Sequence, residues 1–209
     1  MEDIIIGVLL LTSVVGLTFI IERGLALRAA KVVPPVVLSA LDACRSADDL
    51  PMLRNICRQH PAPLSRLLLL ADKNRHWPRE DNARGLEISA RQEVSRLERG
   101  LVVLEIVVGV APLLGLVGTI YGLITLFATM GATGLGDNST LARGIALALN
   151  STLLGLITAI PSLVAWSYYT KKAENLAIEM AALCDVFLHQ IYRGEEASRL
   201  AETPADSRA

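Results

Sequence analysis

The sequence has little net charge, few cysteines and no cluster of metal-binding residue types. Its 209 residues include 20 Lys and Arg and 21 Asp and Glu, which gives a formal net charge of −1. This balance provides no electrostatic case for a nucleic-acid-binding protein. Cys44, Cys57 and Cys184 form an odd, widely spaced set, unlike a disulfide framework or a zinc motif. We interpret them as small, half-buried hydrophobic residues in a reducing compartment.

Charge is also scarce within three long apolar runs. Hydrophobic residues make up 52% of the chain, and the mean hydropathy is +0.45. Residues 4–21 and 144–170 carry no charge, and residues 101–135 carry only Glu105. About 18–20 such residues span the hydrocarbon core of a bilayer. We therefore predict an all-α membrane protein, with transmembrane helices within 1–30, 101–130 and 144–170.

The first run has a competing interpretation as a secretory signal peptide. Such a peptide begins with basic residues and has a shorter apolar core. Here the acidic Glu2 and Asp3 precede the run, and the basic residues follow it. These two departures favour a true membrane span.

Lys and Arg flank one end of each predicted span, and this asymmetry predicts the orientation. Loops rich in Lys and Arg stay in the cytoplasm. We therefore expect a periplasmic N-terminus, a short periplasmic loop over 131–143 and a cytoplasmic C-terminus. The flanking residues follow the first and third spans and precede the second: Arg23, Arg28, Lys31, Arg91, Arg96, Arg99, Lys171 and Lys172.

The polar segments are predicted to be cytoplasmic and helical. Prolines divide residues 31–100 into short helices, and no stretch there alternates like a strand. An apolar stripe with steps of three and four residues begins near residue 79 and continues into the second span, which predicts one helix over 79–130. A similar stripe predicts a helix over 171–193, which packs either in an intramolecular bundle or against copies of the chain. The polar tail, 194–209, is predicted to be disordered.

Small residues lie on one face of the second and the third span. In a membrane, small side chains let helix backbones approach closely, because packing replaces the absent hydrophobic drive. A proline within a span leaves a carbonyl without its donor and permits a kink. We predict that the following residues pack or bend these helices: Pro112, Gly115, Gly118, Gly122, Ser151, Gly155, Ala159 and Pro161.

Polar side chains lie deep in both spans, but no titratable group does. A Thr hydroxyl can donate to a carbonyl of its own helix, whereas the amide of Asn150 needs protein or water as a partner. No Asp, Glu, Lys or His lies near the middle of either span, and Glu105 is near the cytoplasmic end. A proton path through this chain therefore needs a carboxylate from a partner protein.

Two linked motifs resemble those of the MotA/TolQ/ExbB proton-channel family, and the ExbB/TolQ branch is the more similar. The first motif is LERG at 97–100, then LE at 104–105 and APLLGLVGT at 111–119. The second, at 144–161, is GIAxALxSTxxGLxxAIP. The resemblance covers about residues 80–170 in sequence, and the whole chain in length and topology.

The resemblance implies a homopentamer in the bacterial inner membrane that surrounds the single transmembrane helices of ExbD/TolR-type partners. A partner Asp then carries the ion past Thr119 and Thr152, and ion flow drives work in the cell envelope. No cofactor is expected, and the transported ion is H⁺ or Na⁺. Membrane lipids are expected as further partners, and nucleic acid is not.

One position departs from the family pattern. ExbB-like chains often carry Glu where this chain has Leu147. Asn150, about one helical turn further on, is the nearest polar substitute, so it joins Thr119 and Thr152 as a candidate pathway residue. Hydroxyl, amide and carbonyl oxygens also bind hard cations, which leaves Na⁺ open as the transported ion.

Two functions from other classes compete with an ion-driven motor. A non-conducting scaffold that clusters a partner needs only the small-residue faces. A membrane enzyme needs a nucleophile–base pair, a metal cluster or a nucleotide-binding loop, and the sequence shows none of these. We therefore do not expect an enzyme.

Overall fold

The structure, a computed structural model, describes residues 2–44, 49–133 and 138–202. These ranges contain α-helices and no β-strand, which confirms the predicted all-α class. The described residues form two compact units, the first within Met1–Leu25 and Glu98–Thr170 and the second within Ala26–Leu97 and Lys171–Ala209. The helices are α1 (Glu2–Ala26), α2 (Ala29–Val32), α3 (Pro35–Ala43), α4 (Leu50–Gln59), α5 (Pro63–Lys73), α6 (Arg79–Glu98), α7 (Leu101–Thr133) and α8 (Asn138–Glu202).

Three helices are long and apolar enough to cross a membrane. The candidate spans are Ile4–Ala26, Leu101–Gly131 and Leu141–Arg193, with mean hydropathies of 2.8, 2.5 and 1.7. They contain the three predicted runs, so the prediction of three apolar helices is confirmed. The third candidate is long because α8 continues without a break from its apolar half into its polar half.

The prediction of one continuous helix over 79–130 is wrong. Helix α6 ends at Glu98, and α7 begins at Leu101 after a turn at Arg99 and Gly100. Glycine is among the weakest helix formers, so a break at this position costs little. A side chain at Gly100 would also collide with the guanidinium group of Arg23. Leu86 on α6 and Leu104 on α7, which both belong to the predicted stripe, are buried.

Both ends of the predicted loop between the second and third spans are helical. Helix α7 extends to Thr133 and α8 begins at Asn138, so both helices enter the predicted loop of 131–143. The turn-forming glycines and Asp137 are confined to residues 131–137, and residues 138–143 contain no helix breaker. Asp137 itself lies outside the described residues.

The predicted disordered tail, 194–209, is helical over its first part. Helix α8 reaches Glu202 because residues 195–202 are mostly good helix formers and the next proline is Pro204. Residues 203–209 lie outside the described residues.

The stripe predicted beyond the third span forms part of the core of the second unit. Met180, Cys184 and Phe187 on α8 are at most 4% exposed, and Ala173 is fully buried. These residues pack within the chain's own helices, which favours the intramolecular bundle over packing between copies. Cys57, on α4, is also buried, and this burial raises the pKa of its thiol to about 11, so the thiol is protonated at neutral pH.

A buried carboxylate connects two helices of the second unit. Glu93 lies on α6, and its side chain is 8% exposed. It accepts hydrogen bonds from two guanidinium nitrogens of Arg66 on α5, Nε and Nη2. The distance from Nε to the Glu93 Oε1 is 2.9 Å. Arg96 donates to the same Oε1 at 2.8 Å. The hydrogen bond to Glu93 also raises the pKa of Arg66.

Replacing Arg66 with Met is expected to destabilise the protein by about 1–3 kcal/mol, because Glu93 would stay buried but lose its two-point hydrogen-bonding partner. The measurement is thermal unfolding of the purified full-length chain in detergent. Arg91→Met is the matched control, since Arg91 is 79% exposed and its pair with Glu87 contributes no more than about 0.5 kcal/mol. Equal unfolding temperatures for the two variants would contradict this role of Glu93.

Candidate functional site

The small-residue faces of α7 and α8 lie against each other in the first unit. A methyl group added to Gly155 would lie 2.6 Å from the carbonyl oxygen of Ala111 and 3.2 Å from the Cα of Gly115. A methyl group added to Gly115 would lie 2.9 Å from the carbonyl oxygen of Ser151. These are backbone atoms and cannot give way as a flexible side chain can. Glycine is therefore required where these two helices are closest.

The contact continues for another two turns of α7. A methyl group on Gly118 would lie 2.7 Å from the Cβ of Ser151, and one on Gly122 would lie 2.9 Å from the Cβ of Ala148. Ser151, Ala148 and Ala159 are at most 6% exposed. Pro112 and Pro161 both lie inside their helices, which continue past them. The structure thus brings together the glycines of one motif and the small residues of the other.

This close approach places the hydroxyl groups of Thr119 and Thr152 in direct contact. The Thr119 Oγ1 atom lies within hydrogen-bonding distance of the Thr152 Oγ1 atom, and also 3.1 Å from the carbonyl oxygen of Ala148. Each of the two hydroxyl oxygens lies 3.2 Å from the carbonyl oxygen of Gly115. Two hydroxyl and two carbonyl oxygens therefore form a compact, uncharged cluster between two apolar helices.

Such a cluster has a limited chemistry. Hydroxyl groups donate and accept hydrogen bonds, so they can solvate a passing proton carrier or contact a carboxylic acid. Oxygen ligands also suit hard cations. The described residues contain no group of three or more His, Cys, Asp or Glu that could hold a metal ion. The arrangement can therefore interact with an ion without fixing it permanently at a charged site.

Asn150 does not join this cluster. Its side chain is exposed on the surface of the single chain, on the same helix as Leu147, which is 56% exposed. Thr158 follows the pattern expected of an isolated hydroxyl, because it donates to the carbonyl oxygen of Leu154 on its own helix at 3.0 Å. The predicted site residues therefore separate into a paired set between the helices and an amide that faces outward.

The contacts that α1 makes with α7 and α8 were not predictable from the sequence. A methyl group on Gly16 would lie 3.1 Å from the Oγ of Ser162 and 3.3 Å from a Val107 methyl. The Tyr169 hydroxyl donates to the carbonyl oxygen of Ile20 at 3.1 Å. Single glycines in α1 and one tyrosine near the end of the third run form no periodic pattern that could identify these contacts.

Comparison with protein families shows to which family this chain belongs. The model of the MotA/TolQ/ExbB proton channel family matches residues 59–182, which include the predicted second and third spans and the hydroxyl cluster. This chain belongs to the MotA/TolQ/ExbB proton channel family. Its three apolar helices, in a family of membrane channels, make it a multi-pass membrane protein.

Individual relatives support the predicted ExbB/TolQ branch of the family. The Tol-Pal system protein TolQ of Pseudomonas aeruginosa is 29% identical over 91% of this chain and 89% of its own length. A putative biopolymer transport protein, ExbB-like 1, of Synechocystis is 37% identical over 75% of this chain. The biopolymer transport protein ExbB of Helicobacter pylori is 38% identical over 39% of this chain. The matches cover 63% and 56% of the lengths of these two ExbB relatives.

Proposed function

We propose that this chain is the channel subunit of an ion-motive-force-driven motor in the bacterial inner membrane. In this proposal five copies surround the helices of an ExbD/TolR-like partner and couple H⁺ or Na⁺ flow to work in the cell envelope. The N-terminus is periplasmic and the C-terminus is cytoplasmic. The observation that carries the proposal is the contact between the hydroxyl groups of Thr119 and Thr152.

The charges of the two spans support a role for a partner. Between Glu105 and Lys171 the sequence has only two charged residues, Asp137 and Arg143, and both lie in or beside the connection between the spans. A path lined by hydroxyl groups without a carboxylate can stabilise a proton carrier but cannot itself carry the proton across. The titrating group is therefore assigned to the partner's Asp.

The exposed amide of Asn150 supports an assembly of several chains. An amide that faces lipid loses its hydrogen bonds to water and gains none in return, which costs free energy. Within the described residues, no hydrogen bond of this side chain offsets that loss. In the proposed assembly, a neighbouring copy, the partner helix or water in the pathway supplies the missing bonds.

The proposal predicts ion flux that depends on the partner. When the chain is reconstituted in liposomes with an imposed pH gradient, an ExbD/TolR-like partner should produce proton flux, and the chain alone should produce none. The reason is the absence of a mid-membrane carboxylate in this subunit. In the cell, one charge that crosses a membrane potential of 100 mV releases about 2.3 kcal/mol, so a substantial movement needs several charges per cycle.

The control is the same reconstitution with the partner's Asp replaced by Asn, read with a pH-sensitive dye in the liposome lumen. A non-conducting scaffold is the competing function, because tight α7–α8 packing would serve it equally well. Complexes that form with the partner but show no H⁺ or Na⁺ flux under any gradient would establish the scaffold and overturn the proposal.

A further inference from the structure

The second unit contains a polar cavity that plays no part in the proposed ion pathway. Its volume is about 480 Å³, within the range typical of small-molecule sites. It lies at α4, α5 and the turn that follows α5. Its lining includes a single aliphatic residue, Leu69, and otherwise consists of Arg54, Arg58, Asp72, Lys73, Arg75 and His76.

This region concentrates positive charge in a chain that is otherwise acidic. Residues 50–79 contain six Arg or Lys and one Asp, a net charge of +5, whereas the whole chain has a net charge of −1. The remainder of the chain therefore carries −6, which is the difference between −1 and +5. On the cavity wall itself, Arg54, Arg58, Lys73 and Arg75 outnumber Asp72, which leaves a net charge of +3 that attracts anions from solution.

Among the residues that the structure describes, Asp72 is the only carboxylate in the cavity wall, and Arg54 already neutralises it. Asp72, with a side chain 8% exposed, accepts hydrogen bonds through Oδ2 from the Arg54 guanidinium at 2.8 Å and 2.7 Å. Arg58, Lys73 and Arg75 are exposed and have no carboxylate partner within the part of the chain that the structure describes. Three cations are thus available to a ligand.

The chemistry of the lining favours a phosphorylated ligand. Arg presents a planar set of N–H donors that match two phosphate oxygens, and Lys binds phosphate as a point charge. Most of the remaining wall is polar, so an apolar ligand would gain little on binding. A group with several negatively charged phosphate oxygens would match the three available cations.

The composition of the wall favours a soluble ligand over a lipid. Leu69 is the single aliphatic residue of the lining, so the cavity offers little apolar surface to the acyl chains of a lipid.

We propose that the cavity binds a water-soluble, phosphorylated small molecule through Arg58, Lys73 and Arg75. The test is isothermal titration calorimetry of pyrophosphate and ATP into the purified full-length chain, at about 0.15 M salt to screen weak surface binding. We expect saturable binding of at least one probe, at one site per chain. Arg58→Gln combined with Arg75→Gln should weaken it at least about tenfold.

A double variant with the same change in net charge is the control. Arg84 and Arg91 lie on α6 and are 75% and 79% exposed, so Arg84→Gln with Arg91→Gln should change the affinity by less than about twofold. Failure of both probes to bind saturably, or equal weakening by both double variants, would overturn the proposal. Phosphatidylglycerol nanodiscs, compared with phosphatidylcholine nanodiscs, test the lipid alternative. A contact with phosphatidylglycerol that requires Arg58 and Arg75, without binding of soluble probes, would also overturn it.

Discussion

Replacing Thr119 or Thr152 with Val is expected to reduce partner-dependent proton flux by more than about tenfold and to leave the assembly intact. Val has nearly the same shape as Thr but lacks the hydroxyl group. A hydrogen bond to a charged group contributes about 1.5–3 kcal/mol, and raising a barrier by about 1.4 kcal/mol lowers the rate tenfold. The measurement is dye-detected flux in liposomes that contain the chain and its partner.

The assembly should survive these two replacements because the packing does not depend on the hydroxyl groups. Hydrogen bonds between helices in membranes average about 0.6 kcal/mol, and the Gly115 and Gly155 contacts remain unchanged. Size-exclusion chromatography of the variants should therefore give the elution volume of the unaltered protein. A fall in flux accompanied by dissociation would instead assign the hydroxyl pair a structural role.

Two control variants separate the hydroxyl pair from hydroxyl groups in general. Thr119→Ser keeps the oxygen and should retain most of the flux. Thr18→Val makes the same chemical change in α1, where the hydroxyl donates to the carbonyl oxygen of Val14 on its own helix at 2.8 Å. It should leave flux unchanged. Full flux in both Thr119→Val and Thr152→Val would refute the assignment of these residues to the pathway.

Replacing Gly155 with Ala is expected to have the largest effect on stability. The added methyl would lie 2.6 Å from the Ala111 carbonyl oxygen, so α7 and α8 must move apart. Overpacking of this kind costs about 1–3 kcal/mol, and the same movement would separate the Thr119 and Thr152 hydroxyl groups. Both the unfolding temperature in detergent and the proton flux should therefore fall together.

Gly109 provides a matched control for this replacement. It lies on α7, and a methyl group there would meet no atom within 4 Å. Gly109→Ala should therefore have a neutral or slightly stabilising effect, since Ala is the better helix former. If Gly155→Ala and Gly109→Ala unfold at the same temperature, the close approach of α7 and α8 is not what stabilises this contact.

Some features of the fold were predictable because they depend on local sequence alone. Three apolar runs of sufficient length predict three apolar helices, whatever their neighbours are. The stripe that includes Met180, Cys184 and Phe187 predicts a buried helical face by its spacing. The two motifs also indicate the family from the sequence alone.

Other predictions failed because the features concerned depend on residues that are distant in sequence. Nothing near Gly100 distinguishes it from glycines that lie inside helices, and the Arg23 side chain that occupies the adjacent space is 77 residues away. The boundaries of α7 and α8 near residues 133 and 138 also differ from the predicted loop. Turn formers in the sequence indicate where a connection lies but locate its ends poorly.

The amino-acid sequence alone determined the number of apolar helices, the absence of a carboxylate in the middle of the second and third spans, and the faces on which their small residues lie. Only the tertiary structure decided which polar groups meet. Thr119 and Thr152 are 33 residues apart, and each could have bonded only to its own helix. They pair because the glycines let the two backbones come close, whereas Asn150 faces outward. Periodicity specifies the face of a helix, but contact between side chains depends on the distance and rotation between two helices.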